Sequence, residues 1–365
     1  MSRVRPARRV GELDEAGPLV KPLPPEDFVD YTDGEHGFNA ETRWEALAET
    51  GYLTPGEKFF VRSHAPTPRI EPSGWRLRVE GPGVKRTLEI GYEEILSLPA
   101  VSVTRALECA GNGRVFFGER QGRDAPGLPW RLGAIGVAEW TGTPMSEVLE
   151  RAGLKRTARD VMAESLDGVR MRRPLPIEKA MEDALLVYGM NGEELPPDHG
   201  YPVRVIVPGW AAVASVKWVG RLFVAEERLF SPWNTDDYVL TGGGFGDERI
   251  PLTSQGVKGA LELPWPARLR RGRHEIRGRS WSGSGAVSRV GYSVDGGPWR
   301  EARMFGPNIR GAWARWCFQW DARPGTHEIR VRAVDEGGNL QPDAVGWNDL
   351  GYLYDGVVGH PVEVL

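Results

Sequence analysis

The chain has 365 residues, 40% of them hydrophobic and 26% charged, with a net charge of -4. That length accommodates two domains, no apolar run reaches the roughly 20 residues of a membrane span, and the charge gives no electrostatic reason to bind nucleic acid. Two cysteines exclude a disulfide framework, a four-cysteine zinc site and an iron–sulfur cluster, so a redox centre here must need few protein ligands.

The first 40 residues are rich in Pro, Gly and charge and read as an extended arm. No apolar segment follows Arg8 and Arg9. The expected location is therefore cytoplasmic as the sequence stands, or periplasmic if a leader has been removed. A helix is expected over residues 41–50 and a strand over 58–62. "GWRLRVEG" alternates as a strand, "GYEEILSLP" is a short amphipathic helix, and "AVSVTRALE" alternates again. The middle of the chain mixes short helices ("TPMSEVLERAGL", "PIEKAMED") with strands ("DALLVYGM", "YPVRVIVP"). This is an α+β pattern without the regular βαβ repeat of a doubly wound sheet.

Near residue 245 the character changes. Beyond Pro264 only strands are expected: "HEIRGRSW", "VSRVGYSVDGG", "WARWCFQW" and "THEIRVRAVDEGGN", with Asp295-Gly296-Gly297 as a hairpin turn. Short strands at this spacing predict a β-sandwich of immunoglobulin type. The division expected is an arm (1–40), a catalytic α+β domain (41–245) and a sandwich (246–365). Trp281, Trp299, Trp313, Trp316 and Trp320 suit either an apolar interface or the sandwich core.

"LECAGNGR" places Cys109 at the end of a strand. A free cysteine is most often a small buried hydrophobe, which is the reading given to Cys317 between its tryptophans. At Cys109 the glycines Gly111 and Gly113 permit close approach by a bulky ligand, and Arg114 favours the thiolate that binds metal. Arg204 lies inside the apolar strand "YPVRVIV", where a charge needs an anion or a structural carboxylate. Taken singly, these residues and those of "FFVRSH" (59–64) and "SVKW" (215–218) are structural.

Taken together, "CAGN" with a following arginine, "VR-x-H" upstream and "NGEELPPDHGYPVR…SVKW" downstream resemble the sulfite oxidase family of molybdenum enzymes. "FNAE" (38–41), "GLPWRLGAIGVAEWTG" (127–142) and "DEGGNLQPDAVGWN" (335–348) extend the resemblance over most of the chain. It implies a molybdopterin-binding domain followed by an immunoglobulin-like dimerisation domain, and hence a homodimer. It implies a molybdenum–molybdopterin cofactor with Cys109 as its protein ligand. Phe38, Asn39, His64, Asp167, His199, Arg204, Ser215, Val216 and Lys217 match cofactor-holding positions. Arg62, Arg114, Tyr238 and Trp130 match the pocket of a small oxyanion. The reaction implied is oxygen-atom transfer that turns sulfite into sulfate, with electrons leaving to a separate acceptor such as a cytochrome. No haem, flavin or iron–sulfur cluster is expected in this chain.

Two positions depart from the pattern. Gly113 stands where well-known sulfite oxidases carry an arginine, and Leu350 stands where animal and plant members have another. Nitrate reductases are also apolar at the second place. Nitrate carries one negative charge and sulfite close to two, so the cation count bears on substrate. Sulfite leads because short two-domain bacterial chains of this kind commonly oxidise it. A nitrate reductase-like or sulfane dehydrogenase-like enzyme is the alternative. A cofactor-free β-sandwich assembly protein is the reading from another class.

Overall fold

The computed structural model describes residues 20–33 and 37–365. The first half is built on two five-stranded sheets. One runs Glu193–Glu194, Leu185–Met190, Ile135–Pro144, Val101–Glu108, with Arg204–Ile206 also paired to Leu185–Met190. The other runs Leu88–Gly91, Arg76–Glu80, Val219–Ala225, Asp160–Ser165, Arg172–Pro176. Alternation sends Leu77 and Val79 inward from Arg76–Glu80, where they pack with Val161, Leu222 and Val224. Helices are short: Tyr92–Leu96, Met145–Arg151 and Ile177–Glu182 all cover this core with apolar faces. Among the described residues no helix is long and apolar enough to cross a membrane.

The second half is a sandwich. One sheet runs Lys258–Leu261, Gly272–Trp281, Trp313–Ala322, Arg303–Asn308. The other runs Ala267–Leu269, Gly359–Val364, Gly325–Asp335, Val287–Val294, Arg300–Glu301. Ile276, Trp316 and Phe318 from the first sheet meet Val290, Ile329 and Val331 from the second. Asp295 and Gly296 take positive φ and turn the expected hairpin.

The tryptophans divide by position. Trp316 is sandwich core, while Trp281 and Trp313 leave the sandwich and pack with Trp44, Phe116 and Phe117 of the first half. Trp299 is exposed and Trp320 half-buried. Two of these five tryptophans therefore join the halves of one chain and a third fills the sandwich core. Tyr52 accepts from Trp313 Nε1 at its carbonyl (2.8 Å). Arg279, paired with Glu262 of its own half (2.6 Å), donates to the Leu47 carbonyl (2.8 Å) across the same seam.

Three sequence expectations are corrected. Residues 41–50 are not a helix: Asn39–Thr42 is a strand and Trp44–Leu47 a single 3-10 turn. Glu41 is the reason. Its buried carboxylate accepts from Tyr31 Oη (2.7 Å) and the Gly133 N–H (3.1 Å), and both bonds need an extended chain. The strand over 58–62 shrinks to Val61–Arg62 behind a 3-10 turn, Gly56–Lys58. The described part of the arm is not merely extended, since Phe28–Asp30 pairs with Asn39–Thr42.

Candidate active site

The strand Val101–Glu108 pairs along its full length with Ile135–Pro144. It delivers Cys109 to a tight turn. The Cys109 N–H donates to the Ala134 carbonyl (2.9 Å), and its own carbonyl accepts from the Asn112 N–H (2.9 Å). The helix Val115–Gln121, which periodicity did not reveal, starts at once and buries Phe116 and Phe117. Cys109 is a free thiol, 6% exposed, and it borders a cavity.

A Cβ at Gly111 would sit 2.8 Å from the Arg114 guanidinium, and Gly113 (φ +95°) would push one to 3.0 Å from the Tyr354 carbonyl. Both glycines make room for neighbouring protein groups. Gly113 also explains itself as a residue type, because positive φ is costly for any side chain.

The cavity encloses about 690 Å³ of space, its mouth included. Arg62, His64, Cys109, Asp167, His199, Arg204, Ser215, Lys217 and Tyr238 all line it. They come from segments spread over 177 residues of chain (Arg62 to Tyr238), brought together by the two sheets.

One end is cationic. Arg204, 3% exposed, donates to the His199 carbonyl (2.8 Å) and the Ser215 carbonyl (3.0 Å), and its Nε–H has no partner. Burial pulls its pKa down to about 9. Lys217 donates to Ser63 Oγ (2.7 Å) and the Asp198 carbonyl (2.8 Å). Burial, reinforced by Arg204, lowers its pKa to about 7. Burial and the cations Lys21, Lys217 and Arg204 hold His199 well below its ordinary pKa, so its ring is neutral near pH 7. Asp198 is buried with neither carboxylate oxygen hydrogen-bonded; burial raises its pKa against the pull of Lys21 and Lys217. Cations taken out of water and satisfied only by dipoles are costly. An anion placed among them gains charge-assisted bonds and removes the penalty.

The other end is aromatic and polar. Arg62 Nη1 donates to Asn39 Oδ1 (3.1 Å) and to the Ser63 carbonyl. The Tyr238 hydroxyl meets His64 Nε2 at 2.8 Å. Tyr238 holds a positive φ of 52°, an unusual conformation for a tyrosine. Its ring stacks on Tyr352 at 5.1 Å, and burial pushes both hydroxyls up in pKa. Tyr352 belongs to the second half of the chain and backs the cavity-lining Tyr238.

Not every expected residue reaches the cavity. Arg114 lies behind it, donating to the carbonyls of Gly351 (3.2 Å) and Leu128 (3.0 Å), with its guanidinium 5.0 Å above Tyr352. Trp130 is fully buried, edge-on to Tyr31 at 5.1 Å. Asn39 acts one layer back, through Arg62 and the Ser63 N–H (3.2 Å). Phe38 is half-buried off the wall, and the Val216 side chain is core. Leu350 is half-buried beside Gly351.

Sequence reasoning missed Lys21 and Tyr352. Lys21 Nζ donates to the Gly56 carbonyl (2.9 Å) and lies 3.4 Å from His199 Nε2, and burial lowers its pKa to about 8. A single lysine in a Pro-rich arm carries no periodic signal. Tyr352 lies four residues past "WN", where attention fell on Leu350.

Among the described residues no group of three or more His, Cys, Asp or Glu could hold a metal. One thiol and a cluster of cations lining a single cavity suit a metal that arrives with its own ligands on an anionic carrier. The molybdenum cofactor has that chemistry, and the residues fit it.

The chain matches the oxidoreductase molybdopterin binding domain over residues 64–233 and the Mo-co oxidoreductase dimerisation domain over residues 262–357. It is 41% identical over 347 residues to sulfite oxidase of Gallus gallus, covering 87% of this chain and 74% of that protein. It is 30% identical over 364 residues to an NADH nitrate reductase of Ulva prolifera, covering 89% of this chain but 42% of that one. The sulfane dehydrogenase SoxCD of Paracoccus pantotrophus superposes with a TM-score of 0.84 at 29% identity, over 97% of this chain and 95% of that one.

Proposed function

The chain belongs to the sulfite oxidase family of molybdopterin oxidoreductases, and from that premise we propose that it oxidises sulfite to sulfate and passes the electrons to a separate acceptor such as a cytochrome. The sulfur gains one oxygen that derives from water, and two electrons and two protons leave. The observation that carries the reading is the pairing of one cavity-facing thiol, Cys109, with buried cations that have no carboxylate hydrogen-bonded to them, Arg204 and Lys217.

When bound, the cofactor supplies a metal that accepts two electrons and an oxygen atom that is transferred. Cys109 anchors the metal as thiolate, a soft ligand tolerant of changing oxidation state. Arg204 and Lys217 grip the phosphate of the pterin, with the Nε–H of Arg204 free to donate. Neutral His199 offers the pterin a donor or an acceptor without adding charge. Asp167 accepts from ring N–H groups. At the other end Arg62 holds the oxyanion, and its Asn39 bond fixes the guanidinium. Arg114 adds positive charge from behind the wall. Tyr238, hydrogen-bonded to His64, stays protonated and donates to an oxygen of the substrate.

A sulfane-sulfur substrate is the second reading. The likeness to the sulfane dehydrogenase SoxCD over 97% of this chain favours it. The second half pairs two copies of the chain.

The deciding experiment is dye reduction by metal-loaded protein. Sulfite should drive it, and nitrate should not reoxidise the reduced enzyme. Nitrate turnover without response to sulfite would sink the proposal. Cys109→Ser should keep the fold and lose at least about 1000-fold in turnover, about 4 kcal/mol of barrier; near-normal rates would remove Cys109 from the metal.

A further inference from the structure

The cavity does not use the most buried lysine of the chain. Lys258 is 2% exposed and lies on the strand Lys258–Leu261 of the sandwich, not in the cofactor-binding half. Its cross-strand neighbour is Trp281, at the end of Gly272–Trp281. Directly opposite residues of adjacent strands project from the same face, and here both leave the sandwich together. They converge on one group, the carboxylate of Glu108.

That carboxylate is fully committed. Lys258 Nζ donates to its Oε1 at 2.8 Å, and Trp281 Nε1 to its Oε2 at 3.0 Å. Asn112 Nδ2 also donates to Oε1, at 2.8 Å. Lys258 makes a second bond, to the Asn112 carbonyl at 3.0 Å. Asn112 Oδ1 in turn accepts from the Ala134 N–H (3.0 Å), and the Asn112 N–H donates to the Cys109 carbonyl. Glu108 and Asn112 thus bracket the turn 109–111, and each is fixed by Lys258. A further backbone bond, from the Leu353 N–H to the Ala110 carbonyl (2.9 Å), ties the same turn to the second half on its other side.

We propose that the sandwich domain sets the position of the Cys109 thiol, with Lys258 and Trp281 as positioning residues that lock the Glu108–Asn112 clamp around the turn. The inference rests on the reading of Cys109 as metal ligand. A buried ion pair is a weak source of stability, because an apolar pair of the same volume serves as well. What this pair adds is geometry. Metal and substrate sites tolerate displacements of only about 0.5 Å, and a turn rich in glycine has little stiffness of its own. The second domain therefore does more than associate: it completes the first domain's active site from behind.

The test uses the full-length protein and three variants: Lys258→Met, Lys258→Met with Glu108→Gln, and Trp281→Phe. Lys258→Met alone leaves a buried carboxylate unpaired and risks unfolding, so the double variant carries the decision. It removes both charges and keeps the volume. Amide exchange needs no metal, and it is expected to speed up at least tenfold across residues 109–114 while staying unchanged in the strand Gly325–Asp335. In loaded enzyme the thiolate-to-metal absorption should shift, and kcat should fall about tenfold at unchanged KM. Trp281→Phe deletes one N–H and should move the same readouts less. Wild-type exchange across 109–114 and an unshifted absorption band in a folded double variant would overturn the inference. Absence of molybdenum from the wild-type protein would sink the proposed function instead, and the exchange comparison would still decide the clamp.

Discussion

The cations of the cavity and those of the domain seam are buried alike and partnered differently. In the seam Arg279 has Glu262 at 2.6 Å and Lys258 has Glu108 at 2.8 Å. In the cavity Arg204 and Lys217 hydrogen-bond only carbonyls and a hydroxyl, although Asp198 lies within Coulombic reach of Lys217. The seam is electrically finished and the cavity is not. For these four side chains, carboxylate partners go with the closed seam and carbonyl partners with the cavity wall, a distinction that burial alone does not make.

Charge removal is the harshest way to break that comparison. Arg279→Met strands Glu262 in the seam and should cost about 3–5 kcal/mol of stability, read as a loss in denaturant midpoint. Arg204→Met strands no carboxylate, so the cofactor-free protein should unfold within about 1 kcal/mol of wild type. Its defect should appear in cofactor content, at least a tenfold loss by metal analysis, equivalent to about 1.4 kcal/mol. Equal stability losses in the two variants would erase the distinction. At the substrate end, Arg62→Gln keeps a donor and loses the charge. A charge-assisted bond is worth about 1.5–3 kcal/mol, so KM for the oxyanion should rise at least tenfold with little change in cofactor content. An unchanged KM would move the substrate elsewhere.

What the sequence could disclose follows the same division. Strand alternation and turn residues disclosed the four long strands of the second half, whereas the shorter Lys258–Leu261, Ala267–Leu269, Arg300–Glu301, Arg303–Asn308 and Gly359–Val364 carry too few alternating residues to stand out. Arg204 was conspicuous as a charge inside an apolar strand, and its burial follows from that placement. Glu108 and Lys258 were silent. A lone Glu before a cysteine and a lone Lys after a valine look like surface charges, and only a contact across 150 residues gives them meaning. The helix expected over residues 41–50 failed for a related reason: its sequence suits a helix locally, but Glu41 is claimed by Tyr31 and Gly133 from elsewhere in the fold. Arg114 looked like a cavity residue because of where it stands in the chain; the carbonyls of Gly351 and Leu128 draw it behind the wall.

The gentlest probe is the proton. Lys217 titrates near 7 in the cofactor-free fold against 10.5 for an ordinary lysine, and Lys21 near 8, both lowered first by burial. Between pH 7 and 10.5 the unfolded chain therefore holds protons that the folded chain has released. Stability must rise with pH across that window, and the penalty is complete below about pH 7, where both states are protonated. A bound anion reverses the effect by restoring the lysine pKa. Inorganic phosphate should accordingly raise the melting temperature of cofactor-free protein by several degrees at about pH 6.5 and by much less at about pH 9. Lys217→Met should flatten both the pH dependence and the phosphate response, while Lys258→Met with Glu108→Gln, which alters only the neutralised seam, should leave both as they are. A phosphate response independent of pH would mean that Lys217 is not held ready for an anion.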